Sequence, residues 1–286
     1  HLTNGTETKI TQNGNPESLA FMTPPNIDTI LACRFAGIPR IISERIHPSH
    51  SKLIPIWVKL RKILYPKASK IVVQTVGIKN YFKPFIPEDK LVIIKNPLAT
   101  NFIVDTLIQK EQILLNVGRL NFQKNQELLI HAFSRINNTG WKCIIIGKGK
   151  RLKEHLALIR QLQLEDKVEI ISNVTNMSEY YNKASIFAST SNYEGFPNAL
   201  TEAMHFGLPC IATDCPSGPS ELIKDGENGF LIPMEDQVEL EKKLELLMSN
   251  INLRKEISDQ AINSTTQFRV DKIAQQWKNI INSLSC

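Results

Sequence analysis

A chain of 286 residues with 42% hydrophobic and 22% charged residues has the composition of an ordinary globular protein, which excludes the disordered and fibrous classes. Its formal charge of +6 is uneven, because residues 1–97 carry 14 Lys and Arg against 6 Asp and Glu, whereas residues 98–286 carry 20 against 22. The first part therefore favours an anionic partner. No apolar stretch reaches the roughly 18 residues that span a bilayer, and the five cysteines show no metal or redox spacing, as expected of reduced cytosolic thiols.

After a polar opening, short apolar runs alternate with helical patterns, which predicts parallel sheets with crossover helices. The first part has four candidate strands, at 19–22, 40–43, 71–74 and 91–95. The second part has six, enough for a complete doubly wound domain, at 112–117, 142–146, 168–172, 185–188, 209–212 and 229–232. A helix-breaking Asn96-Pro97 turn separates the two series, so we predict domains at 1–97 and 98–269. An amphipathic helix at 270–286 is expected to pack back toward the first domain.

The segment 55–65 predicts an amphipathic helix within a stretch that has no acidic residue between Glu44 and Glu88. Its apolar face would consist of Ile56, Trp57, Leu60, Ile63 and Leu64, and its basic face of Lys59, Arg61 and Lys62. Such a helix can rest on an anionic membrane through 56–70, and it can equally cover the sheet. Nucleic acid is a further explanation of the basic charge, but no recognition motif accompanies it, so we predict no nucleic-acid partner.

Gly118, Arg119 and Lys124 follow the first strand of the second domain and lead into a predicted helix at 126–135. Glycine lets the backbone approach a ligand, and the two cations lie where a strand end meets a helix start, which suits a diphosphate. A turn with two solvated cations is the alternative. A second glycine loop begins at Gly147, and because a lone Gly-x-Gly is weak evidence we interpret it as a tight turn that walls a nucleotide site.

Two glutamates, Glu194 and Glu202, bracket a predicted helix start. Pro197 suits the first helical turn and Gly207 suits the C-terminal stop, so Glu194 is expected in the loop and Glu202 about one turn inside the helix. A helix N-terminus attracts anions and a carboxylate accepts hydrogen bonds from vicinal hydroxyls, and a nucleotide sugar presents both groups. The polar loop at 189–193 favours this interpretation over one in which the glutamates only complement the helix dipole.

The segment 214–221 leaves another strand and is expected to start another helix, where Gly218 could meet the sugar end of a donor or form a structural turn. No Asp-x-Asp occurs, and the histidines lack a metal-ligand arrangement, so no metal and no other cofactor is predicted. A serine hydrolase is disfavoured, because no Gly-x-Ser-x-Gly elbow appears.

Together these motifs resemble the retaining glycosyltransferases of family 4, including bacterial enzymes that build cell-surface polysaccharides and lipid-linked oligosaccharides. The resemblance covers 21–284 and is carried by Gly118-Arg119 with Lys124, by 144–149, by Glu194-Gly-Phe-Pro-Asn with Glu202, and by 215–221. It implies an α/β, GT-B fold of two Rossmann-like doubly wound domains, with the acceptor on the first and the nucleotide sugar on the second.

The resemblance also implies roles for individual residues. Arg119 and Lys124 would hold the donor diphosphate and steady the leaving group, Glu202 would bind the ribose hydroxyls, and Glu194 would address the transferred hexose. The other donor-binding candidates that it implies are Gly118, Gly147, Val174, Gly195, Phe196, Pro197 and Asn198. On the acceptor side it implies Glu44, Arg45 and His47.

Two positions depart from the family pattern. Ser172 stands where relatives tend to have glycine. In addition, no glycine-rich loop follows a strand before Leu19, so we expect the acceptor domain to lack its first part.

The leading hypothesis is transfer of a hexose or N-acetylhexosamine from a UDP-sugar to a glycan or polyprenyl-linked acceptor, at the inner face of the cytoplasmic membrane. The alternatives are a UDP-sugar-binding module without turnover and a sugar-nucleotide epimerase.

Overall fold

The computed structural model describes residues 7–10, 16–33, 38–50 and 54–284. The chain divides into two compact units. Unit 1 consists of residues 1–97 and 268–286, and unit 2 consists of residues 98–267. Each unit is built around its own sheet.

Unit 1 contains a sheet of five strands, numbered β1 to β5 along the chain: Glu7–Ile10, Pro16–Phe21, Arg40–Glu44, Lys70–Val73 and Leu91–Ile93. Their order in the sheet is β1-β2-β3-β4-β5. β2 to β5 are parallel, as the apolar runs predicted, whereas β1 pairs antiparallel with β2 and was missed in the sequence. Its residues fall in the polar opening, and an antiparallel strand at a sheet edge does not need the apolar run by which a central parallel strand is recognised.

The helices of unit 1 cover both faces of this sheet. They are α1 (Thr23–Ala32), α2 (Pro55–Leu64), α3 (Val76–Phe82) and α10 (Val270–Asn282). Successive strand residues point to opposite faces. Ile42 therefore packs in the cluster with α1, α2 and α3, whereas Ile41 packs with Ile273 and Ile280 of α10.

The two faces predicted for α2 need correction. Its packed side consists of Trp57, Leu60, Arg61 and Leu64, so the predicted basic face was wrong at Arg61. Arg61 is 1% exposed, and its Nη2 donates to the hydroxyl of Tyr81 at 3.0 Å. Aromatic rings surround its guanidinium, since Tyr81 and Phe82 both lie within cation–π range. The outward side combines Ile56 and Ile63, each 52% exposed, with Lys59 and Lys62.

Unit 2 contains six strands, numbered β6 to β11 along the chain: Ile113–Val117, Lys142–Ile146, Val168–Ile171, Ile186–Ser189, Cys210–Thr213 and Phe230–Ile232. They are all parallel, and their order in the sheet is β11-β10-β9-β6-β7-β8. All six confirm predicted strands. The order reverses between β6 and β9, and the carboxyl ends at such a reversal are where doubly wound sheets open a crevice.

The helices of unit 2 are α4 (Gln126–Arg135), α5 (Leu152–Gln161), α6 (Met177–Lys183), α7 (Asn198–His205), α8 (Gln237–Ser249) and α9 (Ile251–Thr265). The helix predicted after residue 214 is wrong, because only a single 3₁₀ turn, Pro219–Glu221, forms there. The core joins residues of the inner strands to α4 and α8, among them Leu114, Phe133, Ile145, Ile211 and Leu244. In the part of the chain that the structure describes, no helix is long and apolar enough to cross a membrane.

Candidate functional site

The loops that follow β6 and β9 meet at the carboxyl edge of the unit 2 sheet, where the strand order reverses. The first loop carries residues 118–125 and leads into α4, and the second carries residues 190–197 and leads into α7. Because β6 and β9 are hydrogen-bonded neighbours, residues that are about 70 positions apart in sequence become adjacent. The predicted Arg119, Lys124, Glu194 and Glu202 all lie on these two loops and the helix after the second.

Polar side chains of the second loop fasten it to the first. Thr190 Oγ1 donates to the carbonyl oxygens of Lys124 and Asn125, at 3.2 and 2.9 Å. The Asn192 side chain donates to the carbonyl of Phe122 at 2.8 Å. The polar side chains of 189–193, which suggested a ligand-facing loop, therefore mainly hold the two loops together. They still serve the site, because they fix the backbone from which Lys124 and Glu194 project.

Lys124 and Glu194 form a close ion pair. The Lys124 Nζ lies 2.5 Å from Glu194 Oε1, and the side chains are only 18% and 5% exposed. Ser191 Oγ donates to the same carboxylate oxygen at 2.7 Å. A pair this shielded from water interacts more strongly than a surface salt bridge and orients both groups. The family resemblance implied separate roles for Lys124 and Glu194, and the motif spacing did not predict the contact between them.

Glu202 lies on α7 and accepts a hydrogen bond from a buried tyrosine. The hydroxyl of Tyr181, on α6, donates to Glu202 Oε2 at 2.8 Å. Burial raises the pKa of Glu202, while the Tyr181 hydrogen bond and the nearby charge of Lys124 act to lower it. Tyr181 was not predicted as a site residue, because it is 21 residues from Glu202 and belongs to no recognisable motif.

Arg119 contributes an exposed cation on the loop that follows β6. Its guanidinium forms no ion pair with the residues that the structure describes, while its carbonyl accepts a hydrogen bond from Gln126 at 3.2 Å. Gly118, one residue earlier, lies against Lys124, since a Cβ added there would come within 3.1 Å of the lysine side chain. Glycine at 118 therefore leaves room for the Lys124 side chain to extend toward Glu194.

The glycine loop after β7 packs on the backbone of the loop after β6. A Cβ at Gly147 would lie 1.9 Å from the carbonyl oxygen of Gly118, and one at Gly149 would lie 2.2 Å from that of Leu120. Both distances are far below contact, so these positions require glycine for packing. The observation favours the tight turn over a direct ligand contact, although Gly147 still borders the candidate site.

The segment between Glu194 and α7 brings the remaining candidates to the same edge. Phe196 and Pro197 are buried, and Asn198 is the exposed first residue of α7. Pro197 therefore precedes the helix instead of lying in its first turn. The N-cap residue, Pro197, makes no side-chain cap hydrogen bond. Gly218, at φ +105°, packs directly on Pro197, so the loop at 214–221 supports the helix start.

The loop after β8 lies next to the glycine loop. Ser172, at the position that departs from the family pattern, donates from Oγ to the carbonyl of Gly147 at 2.8 Å. Val174 follows in the same loop and is half-buried. The structure therefore places Val174 at the carboxyl edge of the sheet, where β6 and β7 lie between its strand and the strand that precedes Glu194.

The three acceptor-side candidates lie in unit 1 and differ in their surroundings. Glu44 is 3% exposed and accepts hydrogen bonds from Thr23 and Tyr65, and burial raises its pKa despite these contacts. The Arg45 guanidinium lies 4.5 Å from the ring centroid of Phe21. The ring of His47 meets that of Tyr81 edge-on at 6.1 Å. These contacts make Glu44 part of the interior of unit 1, and the acceptor roles of all three stay predictions.

The edge of unit 2 can thus hold an anion and bind hydroxyls at the same time. Arg119, Lys124 and the N-terminus of α7 supply positive charge and N–H donors, and Glu194 and Glu202 supply carboxylate acceptors. Among the described residues there is no group of three or more His, Cys, Asp and Glu that could hold a metal ion.

Comparison with known proteins identifies similar chains. Residues 100–264 match the family described as Glycosyl transferases group 1. The chain is 33% identical over 230 residues to the amylovoran biosynthesis glycosyltransferase AmsD of Erwinia amylovora, covering 78% of this chain and 65% of AmsD. It is 30% identical over 267 residues to a Campylobacter jejuni alpha-1,4-N-acetyl-D-galactosaminyltransferase named for a diNAcBac-PP-undecaprenol-linked substrate, covering 92% of this chain and 73% of that one.

A solved structure shares the fold. Anabaena HepE in complex with UDP superposes with a TM-score of 0.84 at 20% identity, covering 93% of this chain and 78% of HepE. The α/β, GT-B fold expected from the motifs is confirmed by this likeness.

Proposed function

Since this chain belongs to the group 1 glycosyl transferases, we propose that it transfers a sugar from a UDP-linked donor to a glycan acceptor. The observation that carries the proposal is the meeting of Lys124, Glu194 and Glu202 at the carboxyl edge where β6 and β9 adjoin. A nucleotide sugar needs cations and N–H groups for its diphosphate and acceptors for its hydroxyls, and this edge supplies both.

In the proposed reaction the bond between the sugar's anomeric carbon and the diphosphate breaks, and a bond from that carbon to an acceptor oxygen forms. The proton of the acceptor hydroxyl passes to the departing diphosphate. Arg119 and Lys124 would stabilise the negative charge that grows on the leaving group, which fixed cations do without reorganisation. Glu202 would hold the ribose hydroxyls, and Glu194 would orient the transferred sugar. We propose that configuration is retained, with the acceptor attacking on the face from which the diphosphate leaves.

Names of relatives suggest the chemical class of donor and acceptor. HepE was crystallised with UDP, and the C. jejuni relative is named as transferring N-acetyl-D-galactosamine to a polyprenol-linked chain. We therefore propose a UDP-hexose or UDP-N-acetylhexosamine as donor, and a glycan or polyprenyl diphosphate-linked glycan as acceptor. We propose that the reaction requires no metal, and transfer that survives excess chelator is the expected result.

Calorimetric titration with UDP tests the donor site directly. Lys124→Ala and Glu202→Ala are each expected to weaken UDP binding about tenfold or more, because each removes a charged partner of the ligand. Lys142→Ala is the matched control, since Lys142 is an exposed lysine at the amino end of β7, on the opposite edge of the same sheet. Unchanged binding in both site variants would contradict the site assignment.

Turnover assays separate the proposal from its alternatives. A panel of UDP-sugars with polyprenyl-linked acceptors is expected to yield UDP and glycosylated acceptor together. UDP binding without any turnover would favour a binding module. Conversion of a UDP-N-acetylhexosamine in the absence of acceptor would favour an epimerase.

We also propose that the outward side of α2 rests on an anionic membrane, at the cytoplasmic face. Ile54 is 60% exposed, Ile56 and Ile63 are 52% exposed, and Lys59 and Lys62 lie among them. Isoleucines next to lysines match the boundary between acyl chains and acidic headgroups. Co-sedimentation with vesicles is expected to require anionic lipid, to weaken with salt, and to fall severalfold in an Ile56→Ser, Ile63→Ser variant.

The matched control changes two exposed apolar residues of unit 2, Leu246→Ser and Ile262→Ser, which are 40% and 39% exposed. Equal loss of vesicle binding in the two double variants would contradict a role specific to α2.

A further inference from the structure

We propose that Tyr181 is a positioning residue that holds the Glu202 carboxylate in place for the hydroxyls of the bound donor. The inference rests on the proposed function, because it assumes that Glu202 contacts the nucleotide. Tyr181 itself would not touch the ligand, since it is fully buried and stacked on Phe206. It would act only through the carboxylate.

The geometry fixes the phenol of Tyr181 in one direction. Its ring stacks on Phe206 with centroids 5.1 Å apart and an interplanar angle of 22°, and the ring of Phe102 meets it edge-on at 6.1 Å. The hydroxyl then reaches Glu202 Oε2 at 2.8 Å. Packing against two rings in the interior holds the phenol oxygen in one place, so the oxygen lies within hydrogen-bond distance of Glu202 before any ligand arrives.

This hydrogen bond also supports the charge of Glu202. Burial favours the neutral carboxyl, and among the described residues Tyr181 and the nearby Lys124 oppose that tendency by lowering the pKa. The ammonium of Lys124 is paired with Glu194, so it interacts with two carboxylates and not with Glu202 alone. Among the described residues, Tyr181 also interacts with the buried thiol of Cys210 and with Lys110, whose ammonium donates to the Tyr181 carbonyl at 3.0 Å.

An ionised carboxylate is the better acceptor for hydroxyl donors, because it offers no competing proton and forms stronger hydrogen bonds. Loss of the Tyr181 hydroxyl would therefore weaken donor binding in two ways. It would leave the carboxylate free to turn, and it would raise the pH needed to ionise it.

The test is calorimetric UDP binding by the whole chain, carrying Tyr181→Phe, Glu202→Gln or both, between about pH 5.5 and about pH 8.5. We expect Tyr181→Phe to weaken UDP binding about tenfold near neutral pH and to move the pH dependence to higher pH. In the Glu202→Gln background the same change should have little further effect, because no carboxylate remains to position. Protonation of the UDP phosphate is common to all variants, so it cancels in their ratios.

Tyr180→Phe is the matched control, since Tyr180 is the preceding residue on α6 and is only half-buried. It is expected to bind UDP as the unmodified chain does. Thermal unfolding without ligand checks that each variant is folded. If Tyr181→Phe binds UDP with an unchanged pH profile, or weakens binding equally with and without Glu202, the positioning role is overturned. If the unmodified chain does not bind UDP, the proposed function fails and this inference fails with it.

Discussion

His155, on α5, is a buried side chain whose ring nitrogens have no hydrogen-bond partner among the described residues. Burial lowers its pKa below the ordinary value of 6.5, and the charges of Glu127, Arg151 and Glu154 modify the shift. The folded state therefore binds a proton at His155 less readily than the unfolded chain does. None of the charges that shift this pKa belongs to the candidate site, so the effect expected of His155 is on stability.

The sign of the effect follows from proton linkage. The unfolded state binds more protons once the pH falls below about 6.5, so unit 2 loses stability there, by at most about 1.4 kcal/mol per pH unit for this one group. Replacement by leucine removes the titration and the unsatisfied nitrogens. We expect His155→Leu to raise the free energy of unfolding by about 1 kcal/mol at neutral pH and by more at about pH 5.5.

Chemical denaturation at the two pH values measures this, with His131→Leu as the control at a half-buried position on α4. A stability gain in His155→Leu that is the same at both pH values would contradict the argument.

Among the elements, the strands were the most predictable part of the chain. Ten predicted strands are present because a buried parallel strand needs a continuous run of apolar, largely β-branched residues, and such a run is visible in the sequence. α2 was less predictable. Charge placed Arg61 on the outer face, whereas the rings of Tyr81 and Phe82 accept its guanidinium in the interior. That environment is created by α3, which the local sequence of α2 does not encode.

In the candidate site, too, local sequence predicted some features, and tertiary packing determined the others. Its charged residues were found because they follow strands in the order that places them at one edge of a doubly wound sheet. The partners of those residues were not found. The contact of Lys124 with Glu194 and the contact of Tyr181 with Glu202 depend on how loops and helices pack, and the motif spacing that locates a strand end does not fix side-chain directions. For the same reason, the sequence could not decide whether the glycine loop is a tight turn or a ligand contact, because only the structure shows Gly147 against the Gly118 carbonyl.

At the scale of the whole molecule, the chain forms most of unit 1, passes through unit 2, and returns to unit 1 at Phe268. The returning segment contains α10, which covers one face of the unit 1 sheet through Ile273 and Ile280 against Ile41 and Val72. Unit 2 is continuous in sequence and has its own core. The two units therefore depend differently on the C-terminal residues.

This arrangement predicts a selective effect of changes in α10. Ile273→Ser with Ile280→Ser removes two buried apolar side chains from one face of unit 1, which should cost that unit about 4 kcal/mol or more. Hydrogen exchange followed by mass spectrometry is expected to show faster exchange in β3 and β4, while β6 and β7 keep their protection. Lys272→Ser with Lys278→Ser is the control, because both lysines are exposed on the same helix. Faster exchange in β6 and β7 to the same degree would mean that the helix stabilises both units, and unchanged exchange in β3 and β4 would mean that it stabilises neither.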